Sequence, residues 1–109
     1  MKIFVCVKQV PDTETKIKIL ADQSGIDPAG IKWVVNPYDE YAIEEAVKLK
    51  EKNPTAQVWV ITSGPKTRTV ESLRTALAMG ADEAIVINSP DNLDALSTAK
   101  ALAQVIRTE

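Results

Sequence analysis

Histidine is missing from these 109 residues, and cysteine occurs once, at Cys6. The first absence removes the commonest zinc ligand and the side chain that titrates most readily near neutral pH. The second removes any intrachain disulfide and fits a reducing compartment. Aromatic residues make up only 5% of the chain and do not interleave with a basic run. With a net charge of -2 there is no general attraction for a phosphate backbone, so nucleic acid is not an expected partner. Long apolar runs are also lacking: residues 3–7 lie between Lys2 and Lys8 and are far shorter than a signal-peptide core or a membrane span. The expected setting is therefore soluble and cytoplasmic, of the bacterial kind, with no membrane insertion and no signal or transit peptide. What is present, 45% hydrophobic and 26% charged residues, suffices for one packed domain over residues 1–109.

The hydrophobic pattern alternates between strand and helix periods. Ile3-Phe4-Val5-Cys6-Val7 is a continuous apolar run, as expected of a strand covered on both faces. Lys16-Ile17-Lys18-Ile19 alternates strictly and Ile31-Lys32-Trp33-Val34 suggests a partner strand, with Gly25, Asp27-Pro28 and Gly30 between them. Two readings stand for this stretch: a β-ribbon inserted before the first helix, or an irregular loop. Beyond it, Ala42, Ile43, Ala46, Val47 and Leu49 form an apolar stripe opposite Glu44, Glu45, Lys48 and Lys50, and Asn53-Pro54 ends that helix. Residues 58–61 and 84–87 read as further core strands. Between them a helix runs from about Pro65 to Gly80 through Val70, Leu73 and Leu77, and Leu93, Leu96, Ala99, Leu102, Ala103 and Ile106 recur at helical spacing. This order predicts an α/β fold, an open parallel sheet in a Rossmann-like three-layer arrangement. Three core strands make a narrow sheet and the last apolar face has no stop signal, so the expectation is an incomplete sheet in an amino-terminal piece.

The sharpest local signal is Val34-Val35-Asn36-Pro37-Tyr38-Asp39-Glu40. Asn36 suits a helix cap, Pro37 suits the first helical position, and the Asp39 carboxylate can reach back to the cap's own amide while favouring the positive end of the helix dipole. Such a corner gathers donors where α/β folds hold anions, although a capped helix with no ligand explains the same residues. Ser63-Gly64-Pro65-Lys66-Thr67 joins a strand to a helix and offers hydroxyls and helix amides. Neither a P-loop nor a Gly-x-Gly-x-x-Gly turn is present, so an ordinary turn also accounts for it. Cys6 either lines a pocket at the strand's end or is a small buried hydrophobe. Trp33 and Trp59 suit packing or stacking on a flat ring, Arg74 suits a surface ion pair, and the adjacent carboxylates suit capping and solubility.

Four stretches taken together carry a resemblance. Val5-Cys6-Val7-Lys8-Gln9-Val10-Pro11-Asp12, Asn36-Pro37-Tyr38-Asp39-Glu40, Glu44-Glu45-Ala46-Val47-Lys48-Leu49-Lys50-Glu51 and Arg74-Thr75-Ala76-Leu77-Ala78-Met79-Gly80-Ala81-Asp82 closely resemble, in order, the beta subunit of electron transfer flavoprotein. The resemblance implies a non-catalytic electron-carrier subunit, paired with an alpha subunit that holds most of the redox FAD, while the beta subunit buries a structural AMP. It implies electrons arriving from acyl-CoA and related dehydrogenases of fatty acid oxidation and leaving toward electron transfer flavoprotein-quinone oxidoreductase. By position, the AMP pocket would use Cys6, the Asn36-Pro37-Tyr38-Asp39 corner and Ser63, at three neighbouring carboxyl-terminal strand edges. The family's later nucleotide loop and its docking loop have no counterpart up to Glu109, so the piece alone is expected to bind AMP poorly and to carry no electrons unaided. Two alternatives accompany this reading: an electron-bifurcating form with a second FAD in the AMP position, and a stand-alone adenine-nucleotide binder of universal-stress type. A structural α/β interaction domain is the third.

Overall fold

A computed structural model describes all residues, Met1–Glu109. Strand β1 (Lys2–Cys6) is followed by two short strands, β2 (Gln9–Pro11) and β3 (Trp33–Val35), then helix α1 (Pro37–Lys52), strand β4 (Gln57–Gly64), helix α2 (Lys66–Met79), strand β5 (Glu83–Asn88) and helix α3 (Ala95–Thr108). β1, β4 and β5 form an open sheet in that order, all parallel, with Val5 beside Val60 and Val60 beside Ala84. β2 and β3 pair antiparallel as a separate ribbon, Val10 opposite Val34.

Alternation along β4 divides the molecule into layers. Val58 and Val60 point to one face and are fully buried with Ile43 and Ala46 of α1 and Leu73 and Ala76 of α2. Each valine, isoleucine or leucine among them contributes about 1.5–3 kcal/mol on full burial, the alanines less. Ile61, also fully buried, and Ser63 point to the opposite face, toward the cleft that Ala99 and Leu102 of α3 line from the other side. The result is helices α1 and α2, the sheet, and α3, as the strand-and-helix order predicts. At the amino-terminal edge Asp82 ties the layers: its carboxylate accepts from the Val58 amide at 2.8 Å and from the Lys50 ammonium.

Several sequence expectations are corrected. The ribbon exists, but its first strand is residues 9–11 and not 16–19. The 16–19 stretch has only an isolated bridge between Ile19 and Ile26, with Ile17 and Ile19 exposed. Its alternating pattern has no layer to pack on. In α1 the buried stripe narrows to Ile43 and Ala46, with Val47 half-buried, while Ala42 and Leu49 face solvent. Leu77 and Leu96 are likewise exposed on α2 and α3. Asn36 caps the helix as expected: its side-chain Oδ1 accepts from the Tyr38 amide at 3.4 Å, and Pro37 opens the helix. Arg74 pairs with Glu71 on the surface, at 2.7 Å.

Candidate functional site

The carboxyl-terminal ends of β1, β4 and β5 open into one cleft of about 610 Å³, closed on its far side by α3. That volume lies within the range of small-ligand sites. Its location is the rim at which open α/β sheets hold ligands, because strand ends, loop amides and helix starts converge there.

Three corners build it. The first begins where β1 ends: Cys6 is exposed at the strand's end, and the chain is then pinned by the Asp39 carboxylate, which accepts from the Lys8 amide at 2.7 Å. The Asn36 amide donates to the Lys8 carbonyl at 2.8 Å, so β1's exit and α1's start are stitched twice. Asp39 therefore serves the neighbouring segment and not the cap's own amide. A negative group at the first turn of α1 is also favoured by the helix dipole. The thiol of Cys6 is pushed above its ordinary pKa, first by desolvation and second by the Asp39 charge, which disfavours a thiolate.

The second corner is Ser63-Gly64 at the end of β4. Gly64 has φ +155°, and a Cβ there would lie 2.9 Å from Thr69 Cγ2 on α2. Only a residue without a side chain lets the backbone face the cleft at this point. The third corner follows β5: Asn88 Oδ1 accepts from the Lys66 amide at 3.1 Å, which satisfies a donor at the uncapped start of α2. Ser89 Oγ lies 2.8 Å from Ser63 Oγ, placing two hydroxyls side by side on the cleft wall.

A side-chain cluster forms the remaining wall. Gln9 is buried and bridges to α2: its Nε2 donates to the Arg68 carbonyl at 3.0 Å and to Ser72 Oγ at 2.9 Å, while its Oε1 accepts from Arg68 Nε at 2.7 Å. The Arg68 guanidinium lies 3.6 Å from the centre of the Trp33 ring. Its two terminal nitrogens grip Asp91 in a bidentate pair at 2.9 and 2.6 Å. The Arg68 hydrogen bonds hold the Asp91 carboxyl below the usual carboxylate range, with smaller help from the Arg68 and Lys8 charges.

Of the residues singled out in the sequence, Cys6, Asn36, Asp39 and Ser63 line this cleft together. Pro37 and Tyr38 do not line it, and Tyr38 is 81% exposed. Gln9, Arg68, Thr69, Ser89, Asp91 and Thr98 line it without having been singled out for it. Trp33 and Trp59 pack: Trp59 sits 6.0 Å from Phe4, beneath Lys2. Leu93 and Leu102 give the cleft an aliphatic side, with Ile61 buried behind it, and the rest of the lining carries amide and hydroxyl groups together with Lys8, Asp39, Arg68 and Asp91. Apolar side chains beside a few convergent polar groups are the make-up of a small-ligand site.

The fold and cleft define an open parallel α/β domain with a cleft of small-ligand size at its carboxyl-terminal rim. The family model described as "Electron transfer flavoprotein domain" matches residues 24–109, and the chain belongs to the electron transfer flavoprotein family. It is 42% identical over 109 residues to "Electron transfer flavoprotein subunit beta" of Dictyostelium discoideum, covering 100% of this chain and 43% of that protein. The subunit of the same description from Bacillus subtilis is 48% identical over 94 residues, 86% of this chain and 35% of the relative. The Homo sapiens subunit is 39% identical over 113 aligned positions, 100% of this chain and 44% of the relative. The chain thus spans less than half the length of these relatives. No helix is long and apolar enough to cross a membrane.

Proposed function

We propose that this chain forms part of a beta subunit of a heterodimeric electron transfer flavoprotein, and that its cleft holds AMP in a structural role. One observation carries the reading: a cleft of about 610 Å³ at three adjacent carboxyl-terminal strand ends, with aliphatic side chains beside a polar rim whose charged groups balance. Leu93 and Leu102 offer a surface for the base, and Asn36, Ser63 and Ser89 offer groups for sugar and phosphate. Cys6 contributes its place at the end of β1, since a thiol with a raised pKa stays protonated and is a weak partner. FAD, held mainly by the alpha subunit, supplies the electron chemistry. This chain contributes binding and positioning and no catalytic group of its own. In the whole protein, electrons pass from acyl-CoA and related dehydrogenases to electron transfer flavoprotein-quinone oxidoreductase, in the cytoplasm of a bacterium-like cell.

The test is the ligand inventory of the complete heterodimer, released by denaturation and identified by mass spectrometry. One AMP and one FAD per heterodimer is the expected result. Two FAD molecules would assign the cleft to a second flavin and the bifurcating form. Absence of any nucleotide besides the redox FAD would overturn the reading in favour of an interaction domain.

A further inference from the structure

Two cationic side chains, Lys8 and Arg68, and two carboxylates, Asp39 and Asp91, line the cleft, so its charged groups cancel. Their commitments differ. Asp39 is occupied by the Lys8 amide, and Lys8 itself is exposed. Arg68 is held in place three ways: Nε by Gln9, the ring plane by Trp33, and the two terminal nitrogens by Asp91. Its side chain is 21% exposed, whereas that of Asp91 is 56% exposed. The guanidinium is thus the fixed partner and the carboxylate the removable one. The end-on pair of nitrogens that grips Asp91 has the fork geometry that grips a phosphate.

We propose that Asp91 determines phosphate number in this cleft: by occupying the Arg68 fork, it makes the site accept a nucleoside monophosphate and disfavour ligands that bring a second phosphate. The inference rests on the adenylate reading above and adds the residue that sets its selectivity. A second phosphate must either displace a carboxylate from a charge-assisted bidentate pair or lie beside that carboxylate's negative charge, and both cost free energy. With Asp91 removed, Gln9 and Trp33 still hold the guanidinium, so a ready anion site is uncovered without rearrangement.

The experiment uses the complete heterodimer, stripped of bound nucleotide and titrated calorimetrically with AMP and with ADP. The wild type should prefer AMP. Asp91→Ala should shift the ADP-to-AMP affinity ratio about tenfold toward ADP, the scale of one hydrogen bond to a charged group. Adding Arg68→Gln to that variant should abolish the gain. An unchanged ratio in an Asp91→Ala protein that still binds AMP would overturn the role of Asp91 and leave the adenylate reading standing. Equal wild-type affinities for AMP and ADP would do the same. A wild type that binds neither nucleotide would overturn both.

Discussion

Asp39 is the side chain whose removal tests the construction of the cleft most informatively. Its carboxylate accepts from the Lys8 amide at 2.7 Å across 31 residues of sequence, fixing the exit of β1 against the start of α1. Replacing it with alanine removes a hydrogen bond to a charged group, worth about 1.5–3 kcal/mol. It also removes a favourable charge from the first helical turn, worth about 0.3–1 kcal/mol. Because Asp39 is only half-buried, the lower part of that sum applies, about 2 kcal/mol. For a domain of this size such a loss lowers the melting temperature by about 10 °C. Asp39→Asn keeps an acceptor and loses the charge, so it should fall about halfway between. A second readout is built in, because Cys6 is the only cysteine and the Asp39 charge helps raise its pKa. In Asp39→Asn the thiol's alkylation-rate profile should move to lower pH, part of the way to ordinary, since desolvation remains the larger cause. Thermal unfolding and pH-dependent alkylation measure the two effects. A variant that melts with the wild type and leaves the thiol profile unmoved would refute the stitching of β1 to α1 by Asp39.

Other outcomes follow from the same geometry. Gly64→Ala should cost about 1–3 kcal/mol from its positive φ and the contact with Thr69 Cγ2; Thr69→Ser, which removes that methyl and keeps the hydroxyl, should recover part of it in a double-mutant cycle. Asn36→Ala should cost about 1 kcal/mol in denaturant unfolding through loss of the cap, and AMP should be retained less well in the full heterodimer. Asp82, Asp91 and Asp94 have folded pKa values below the ordinary one, each first through a side-chain hydrogen bond: to Lys50, Arg68 and Ser97 respectively. Their stabilisation is therefore complete above the unfolded carboxylate value near ~4 and is lost as pH falls through the lowered folded values. Unfolding free energy measured against pH should decline on the acid side, and an acid limb unchanged by Asp82→Asn would contradict the Asp82 part.

The core of this architecture is legible because its signals are local. The apolar runs at 3–7, 58–61 and 84–87 supply the three strands of the sheet, although only the 58–61 run is largely buried, 84–87 is half-buried and Cys6 is exposed, and the Asn36-Pro37 pair starts a helix where capping chemistry says it must. The ribbon misled for a physical reason: alternation at 16–19 marks a strand only when one face is covered, and there Ile17 and Ile19 have nothing to cover them. Its true first strand, Gln9-Val10-Pro11, is too short to show a period and contains a proline. At the site, Cys6, Asn36 and Ser63 could be placed by strand ends alone. Tyr38 turned outward because neighbouring helical residues point about 100° apart, so it does not share the cap's direction. Arg68, Gln9 and Asp91 were invisible because their cluster joins positions 59 and 23 residues apart, and no spacing rule connects them. Asp39 was recognised as a helix-start carboxylate, but its partner on the β1 exit depends on tertiary closure.

The central claim is that adenylate sits at the carboxyl edge of β1, β4 and β5, and Cys6 reports on that place directly. Site-resolved alkylation of Cys6 in the nucleotide-stripped heterodimer should slow saturably as AMP is added, with a half-point equal to the AMP dissociation constant measured by calorimetry. Binding of AMP with an unaltered alkylation rate at Cys6 would put the nucleotide elsewhere and contradict the account.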